Sequence, residues 1–211
     1  MLTLADLYSK YPKLPLILSC IYCLLRIVSI AIYSDTIQAN DVMISFLFYI
    51  RELVFVSTIA FLIVTLSKYG NLKIKRTFSI YLLIRVITII GPVIISVIQP
   101  NAISYYTAIL GISIAFVTIS LFLQSLKVPQ AGLQLITISI LFMHMAAPAL
   151  ILLQTFLLDK FPIHHFIRIE QLVEPIALFP GIAITLFYLK EEKLLFGQPF
   201  HEEDARYTSE D

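Results

Sequence analysis

The twenty residues from Leu14 to Tyr33, LPLILSCIYCLLRIVSIAIY, decide the fold class. An α-helix needs about 20 mostly apolar residues to cross a bilayer, and this stretch carries a single charge, Arg26. Five further stretches qualify: 42–66, 78–98, 103–126, 133–158 and 170–189. The separators between them are short and hold charge or helix breakers, such as Gln99-Pro100-Asn101 and Lys127-Val128-Pro129-Gln130. A transmembrane β-barrel would instead show alternating segments of about ten residues.

Composition agrees. The chain is 59% hydrophobic and 14% charged, with mean hydropathy +0.90, whereas soluble domains run near about 45–50% and 25%. Fifteen basic against fourteen acidic residues supply no basic stripe for nucleic acid. Six Gly and ten Pro in 211 residues exclude collagen-like and low-complexity classes.

Lys and Arg set orientation. Lys10, Lys13, Lys68, Lys73, Lys75, Arg76, Lys127, Lys190, Lys193 and Arg206 fall on one side; Lys160 and Arg168 fall on the other. The expected fold is therefore an all-α polytopic bundle of six transmembrane helices with both termini cytoplasmic, a multi-pass protein of a plasma or inner membrane. Ser29-Ile30-Ala31 imitates a signal-peptide cleavage site, but Arg26 interrupts the apolar run and five spans follow, so a retained anchor is expected.

Three units follow. Residues 1–13 read as an interfacial amphipathic helix: Thr3 and Asp6 have capping-box spacing, and Leu4, Leu7, Tyr8 and Tyr11 form an apolar stripe that Pro12 ends. Residues 14–189 form the transmembrane domain. Residues 190–211 form a solvated acidic tail with seven acids and two Lys/Arg from Glu191 onward. The segment 161–169, around His164, His165 and Arg168, reads as a connector or partial lid on the outer side. No soluble catalytic module is visible, so activity is expected in the membrane part or in a partner protein.

The spans carry unusual charges. Arg26, Arg51, Glu52 and Arg85 at mid-bilayer together cost on the order of 10 kcal/mol unless paired or wetted. They also lie on polar stripes at helical spacing: Ser19, Tyr22, Cys23, Arg26, Ser29 and Tyr33 in the first span, and Tyr81, Arg85, Thr88, Pro92, Ser96 and Gln99 in the third. The fifth span aligns Thr137, His144, Pro148 and Thr155, and the sixth aligns Glu170, Glu174, Ala177, Gly181, Thr185 and Tyr188. Arg51 and Glu52 are adjacent, about 100° apart around the helix, and should face different partners.

At a rise of 1.5 Å per residue, Arg26, Arg51 and Glu52 lie roughly 11–15 Å below the outer surface and Glu174 about 6 Å. His144 falls near the middle, and Arg85 roughly 11 Å above the inner surface, apart from the rest. Three Arg against Glu52 and Glu174 leave one surplus cation. The candidate ligand-binding set is thus Arg26, Arg51, Glu52, Arg85, His144 and Glu174. These would line an intramembrane cavity for a small anionic or zwitterionic ligand or a lipid headgroup, because Arg favours carboxylate and phosphate. Arg26 and Arg51 would clamp the anion, Glu52 and Glu174 would orient them or take protons, and Arg85 would form an inner gate. The structural alternative pairs Glu52 with Arg26 and Glu174 with Arg51, while Arg85 snorkels to headgroups.

Other chemistry lacks a signature. Cys20-Ile-Tyr-Cys23 has the spacing of a redox pair, but no second pair exists to relay electrons. His144 is the only histidine within a span, so neither a metal set nor paired haem histidines are expected, and no cofactor is. Glu191-Glu192 is followed by Phe196, where the glutamate pair of intramembrane CAAX-type proteases has an arginine. GxSG, GxGD and P-loop motifs are missing. Pro92, Pro148, Pro175 and Pro180 inside spans are a device that transporters use. Transporter-like ligand binding is the leading expectation. A receptor or accessory subunit working through a partner comes second, and a lipid-modifying enzyme using His144 with Glu52 or Glu174 comes third.

Overall fold

A computed structural model describes residues 3–34, 40–67, 72–99, 102–128, 131–158 and 169–191; of these, the side chains at 41, 150–158, 169–172 and 190–191 are not described. Residues 161–168 and 192–211, on which the lid and tail readings fall, lie outside the described residues.

The described residues form seven α-helices and no strand. The short α1, Leu4–Lys10, is closed by a reciprocal cap. Thr3 Oγ1 accepts from the Asp6 amide at 3.1 Å, and Asp6 Oδ2 accepts from the Thr3 amide at 2.9 Å. Hydrogen bonding of the Asp6 carboxyl to the Thr3 side chain and to the Thr3 amide holds it below its ordinary pKa. The chain breaks at Tyr11 and Pro12, and the buried Tyr8 ring lies 6.4 Å from Phe61. Its stripe therefore packs in part on another helix, while Leu4 and Tyr11 stay exposed.

Six long helices follow: α2 (Leu14–Tyr33), α3 (Asp41–Ser67), α4 (Leu72–Ile98), α5 (Ile103–Ser125), α6 (Ala131–Leu158) and α7 (Ile169–Leu186), the last continued by a π-helical turn, Phe187–Glu191. Their ends agree with the apolar runs to within about three residues, except that α4 starts six residues before the expected 78. Charge alone does not stop a helix; Lys73, Lys75 and Arg76 extend aliphatic stems along it. Breakers do, and Gly70 and Asn71 stand before Leu72.

Each long helix packs on its sequence neighbours, and α7 returns to pack on both α6 and α2, so the six close into a ring. The ring is apolar outside and polar within. Leu24, Leu53, Leu83, Phe116 and Phe142 face outward with more than half their surface exposed, while Arg26, Ser29, Arg51, Glu52 and Glu174 are buried. Soluble domains do the reverse and rarely expose large apolar patches. Five of the helices, α2 to α6, are long and apolar enough to cross a membrane, which suggests a multi-pass membrane protein. Alongside these buried charges the interior holds an apolar core that includes Tyr22, Phe55, Ile59, Leu62, Phe78, Leu121, Ile136 and Ile140.

Two glycines mark close approaches. A Cβ on Gly181 of α7 would lie 2.6 Å from Tyr22 Cδ1 and 2.7 Å from Cys23 Sγ of α2, and one on Gly91 of α4 would overlap the Tyr106 ring of α5. Small residues at helix seams let backbones approach where no hydrophobic force draws helices together in lipid.

Candidate functional site

On α2, Tyr22, Arg26 and Ser29 recur at four- and three-residue intervals and turn one buried face into the ring. On α3, Arg51 and Glu52 follow each other and both enter it, and from α7 Glu174 reaches in just before Pro175. Arg85 of α4 completes the set.

These five charged side chains meet in one lattice. Arg26 is its centre: Nη1 donates to Glu174 Oε2 at 2.8 Å, Nε donates to the Tyr22 hydroxyl at 2.8 Å, and Nη2 lies 3.5 Å from Glu52 Oε1. The Tyr22 hydroxyl passes its own hydrogen to the Ala177 carbonyl of α7 at 2.9 Å. Arg51 Nη1 donates to both oxygens of Glu174 at 2.9 and 3.0 Å and to Ser29 Oγ at 3.0 Å. Arg85 Nη2 pairs with Glu52 Oε2. Each guanidinium also lies against an aromatic ring: Arg26 over Tyr22, Arg51 over Phe48 and Arg85 over Phe55, at 5.2, 5.4 and 5.8 Å. Charge-assisted bonds of this kind are the strong ones, and cation–π contact adds to them when desolvated.

Among the described side chains, the charge count is three guanidiniums against two carboxylates. The surplus has a structural trace. Among the described residues, the buried Arg51 Nε and Arg85 Nε have no hydrogen-bond partner; Glu52 Oε1, at 3.8 Å from Arg51 Nε, is too far to accept. Beside Arg51 is a cavity of about 10 Å³ lined by Ser29, Ile32, Tyr33, Ile44 and Phe48, room for about one water molecule. The expected open chamber is therefore a packed lattice, because guanidinium and carboxylate match each other in shape and fill the interior between them.

Arg85 is not apart. The depth arithmetic started α4 at 78, and its actual start at Leu72 sets Arg85 deeper by six residues. Its neighbour Glu52 takes it up, so it neither snorkels nor stands as a separate gate. His144 does not join the carboxylates. Its Nε2 hydrogen-bonds the fully buried Tyr81 hydroxyl at 2.9 Å, with the rings edge-on at 5.7 Å. The side chains of Glu170 and Thr155 lie outside those described. Cys20 and Cys23 are free thiols on an open apolar groove of about 310 Å³ with Leu24, Ile182, Thr185 and Leu186, away from the charges. Among the described residues, no three of His, Cys, Asp and Glu gather as a metal set.

Sequence reasoning missed Tyr22 and Ser29 as site residues, although both lie on a polar stripe. The available signal was a repeated Tyr-x-x-x-Arg, Tyr22 to Arg26 and Tyr81 to Arg85, a spacing that stacks two side chains on one helix face.

No protein family, no characterised protein and no solved structure matches this chain.

Proposed function

We propose that the chain is a six-span membrane protein, both ends on the cytoplasmic side, that binds a small anionic or zwitterionic group in its Arg–Glu lattice. The group belongs either to a free small molecule or to a lipid headgroup. The reading is supported by one observation above all: among the described side chains the buried lattice holds three arginines and two glutamates, and Arg51 Nε lacks a partner beside a cavity. An uncompensated buried cation is costly, and a bound anion would offset that cost. Arg51 and Arg26 hold the anion, Glu52 orients their guanidiniums, Glu174 holds them until the anion arrives, and Arg85 fixes Glu52. The prolines of α4, α6 and α7 allow those helices to bend, as transport of the ligand requires.

A second reading shares the site without transport. The lattice fills the ring in this conformation, which suits a receptor or accessory subunit that reports the ligand to a partner protein.

Arg51→Leu tests the site. It leaves two arginines against two glutamates, a balanced lattice, so the variant should fold. Purified protein in phosphatidylcholine nanodiscs is heated in chloride, bicarbonate, phosphate and acetate at matched ionic strength. Wild type should gain several degrees with at least one anion, and Arg51→Leu should lose that gain. Equal responses of the two proteins to every anion overturn the reading. Anion flux in proteoliposomes then separates transporter from receptor.

A further inference from the structure

We infer that Glu174 occupies, as an internal stand-in, the seat of the ligand's own carboxylate, and that the ligand of this site is a small carboxylate that displaces it. The inference rests on the anion-binding reading above and names its substrate class.

The two acids of the lattice are held differently. Glu52 is 2% exposed and lies between the guanidiniums of Arg85, Arg26 and Arg51. Glu174 is 7% exposed and touches only Arg26 and Arg51 among them. Its two oxygens take three N–H···O bonds of 2.8 to 3.0 Å, one from Arg26 Nη1 and two from Arg51 Nη1, so two guanidiniums converge on one carboxylate with charge-assisted bonds.

The backbone beneath Glu174 is prepared to yield. Residue 174 immediately precedes Pro175, whose ring disfavours helical geometry at the residue before it. Pro175 and Pro180 lack N–H groups, so the carbonyls of residues 171 and 176 lose their i+4 donors. The helical conformation at 174 is thus held against local preference, and the ion pairs with Arg26 and Arg51 contribute to holding it. A carboxylate arriving from solution or membrane replaces those pairs and lets this turn of α7 relax.

Size selects the class. The seat takes one planar carboxylate, and the adjoining space beside Arg51 is about 10 Å³ with apolar walls from Ile32, Ile44 and Phe48. Formate, acetate and similar monocarboxylates match the group they would replace in size and charge, whereas a phosphate with its four oxygens is bulkier than the Glu174 carboxylate. A serine-lipid headgroup carries the same chemistry.

Glu174→Ala and the more conservative Glu174→Gln, which keeps the side-chain volume, provide the test, with sodium acetate as probe and sodium chloride at the same ionic strength as control. Acetate should raise the melting temperature of either variant. Its apparent affinity should exceed that for wild type by about tenfold or more, because a charge-assisted competitor has been removed. A parallel arm in nanodiscs containing phosphatidylserine, without acetate, identifies a lipid source if it alone stabilises the variants. If acetate and phosphatidylserine both leave every variant that folds unchanged relative to chloride and phosphatidylcholine, the carboxylate seat is overturned. A wild-type response to another anion that Arg51→Leu abolishes would still leave the broader reading standing, so the two failures are distinct.

Discussion

Arg26 of α2 donates to Glu174 of α7 at 2.8 Å, joining the first and last long helices across 148 residues of sequence. In lipid no hydrophobic force draws two helices together, so such a pair has a large part in closing the ring. Beside it, Gly181 lets the two backbones approach and the Tyr22 hydroxyl ties α2 to the Ala177 carbonyl. Packing and polar pairing act on one seam, and the charged lattice both completes the fold and presents the site.

Glu52 is the acid the fold can least lose. Glu52→Leu leaves three arginines with one carboxylate, and removing one partner from a buried ion pair costs about 3–5 kcal/mol. Deleting Arg85 as well removes the cation that Glu52 takes up, so Glu52→Leu/Arg85→Leu should be more stable than Glu52→Leu alone. Reversible unfolding in mixed micelles, run as a double-mutant cycle, measures the coupling. A double variant no more stable than the single would show that Glu52 and Arg85 do not depend on each other.

Much of this arrangement is legible in the sequence. The interval from Leu14 to Tyr33 is α2 as it stands, since apolar length and a following polar loop leave a helix few alternatives. The inward stripe of α2 was readable because Ser19, Tyr22, Arg26 and Ser29 obey helical spacing and all four are buried. Pairing was not readable. Spacing within one helix says nothing about which helix stands opposite, so Arg85 seemed remote from Glu52, and His144 seemed part of the charges although it faces Tyr81. Ser96 and Gln99 share Arg85's stripe yet are exposed, because beyond Pro92 the helix leaves the filled part of the ring.

Glycine substitutions should separate seam from surface. Gly181→Ala forces a Cβ to within 2.6 Å of Tyr22 and 2.7 Å of Cys23, and overpacking of this kind costs about 1–3 kcal/mol. At Gly111 of α5 nothing lies within 4 Å of the added atom, so Gly111→Ala should be stabilising by about 0.5–1 kcal/mol through helix propensity alone. Melting temperatures of the two variants in one detergent settle the matter. Equal shifts would refute the close α2–α7 approach.

The parity of the spans is open to a direct test. Five crossings would place the chain's two ends on opposite faces, while six return them to the same one. Helix α7 and its π-helical turn cover 169–191, and its inward side carries Glu174, Ala177, Gly181 and Ile184, all buried, as in a bundle member. A fluorescent reporter at each end, with one quenching reagent applied outside intact cells, should find both ends protected. Quenching of one end alone would leave five crossings.

The Tyr81–His144 pair should prove structural. It joins α4 to α6 through one 2.9 Å hydrogen bond, and neither residue hydrogen-bonds to Glu52 or Glu174 among the described contacts. Tyr81→Phe leaves a half-buried imidazole nitrogen without its Tyr81 partner, at a cost of about 1 kcal/mol. Replacing both groups by apolar ones, as in Tyr81→Phe/His144→Leu, removes the orphan as well as the bond and should recover most of that loss. Throughout the series the shift that anions produce in wild type should persist, because Arg26, Arg51 and Glu174 are untouched. An anion response that vanished with Tyr81→Phe while the melting temperature held would move the pair from scaffold to site. It would then give His144 the acid–base role that a lipid-modifying chemistry needs.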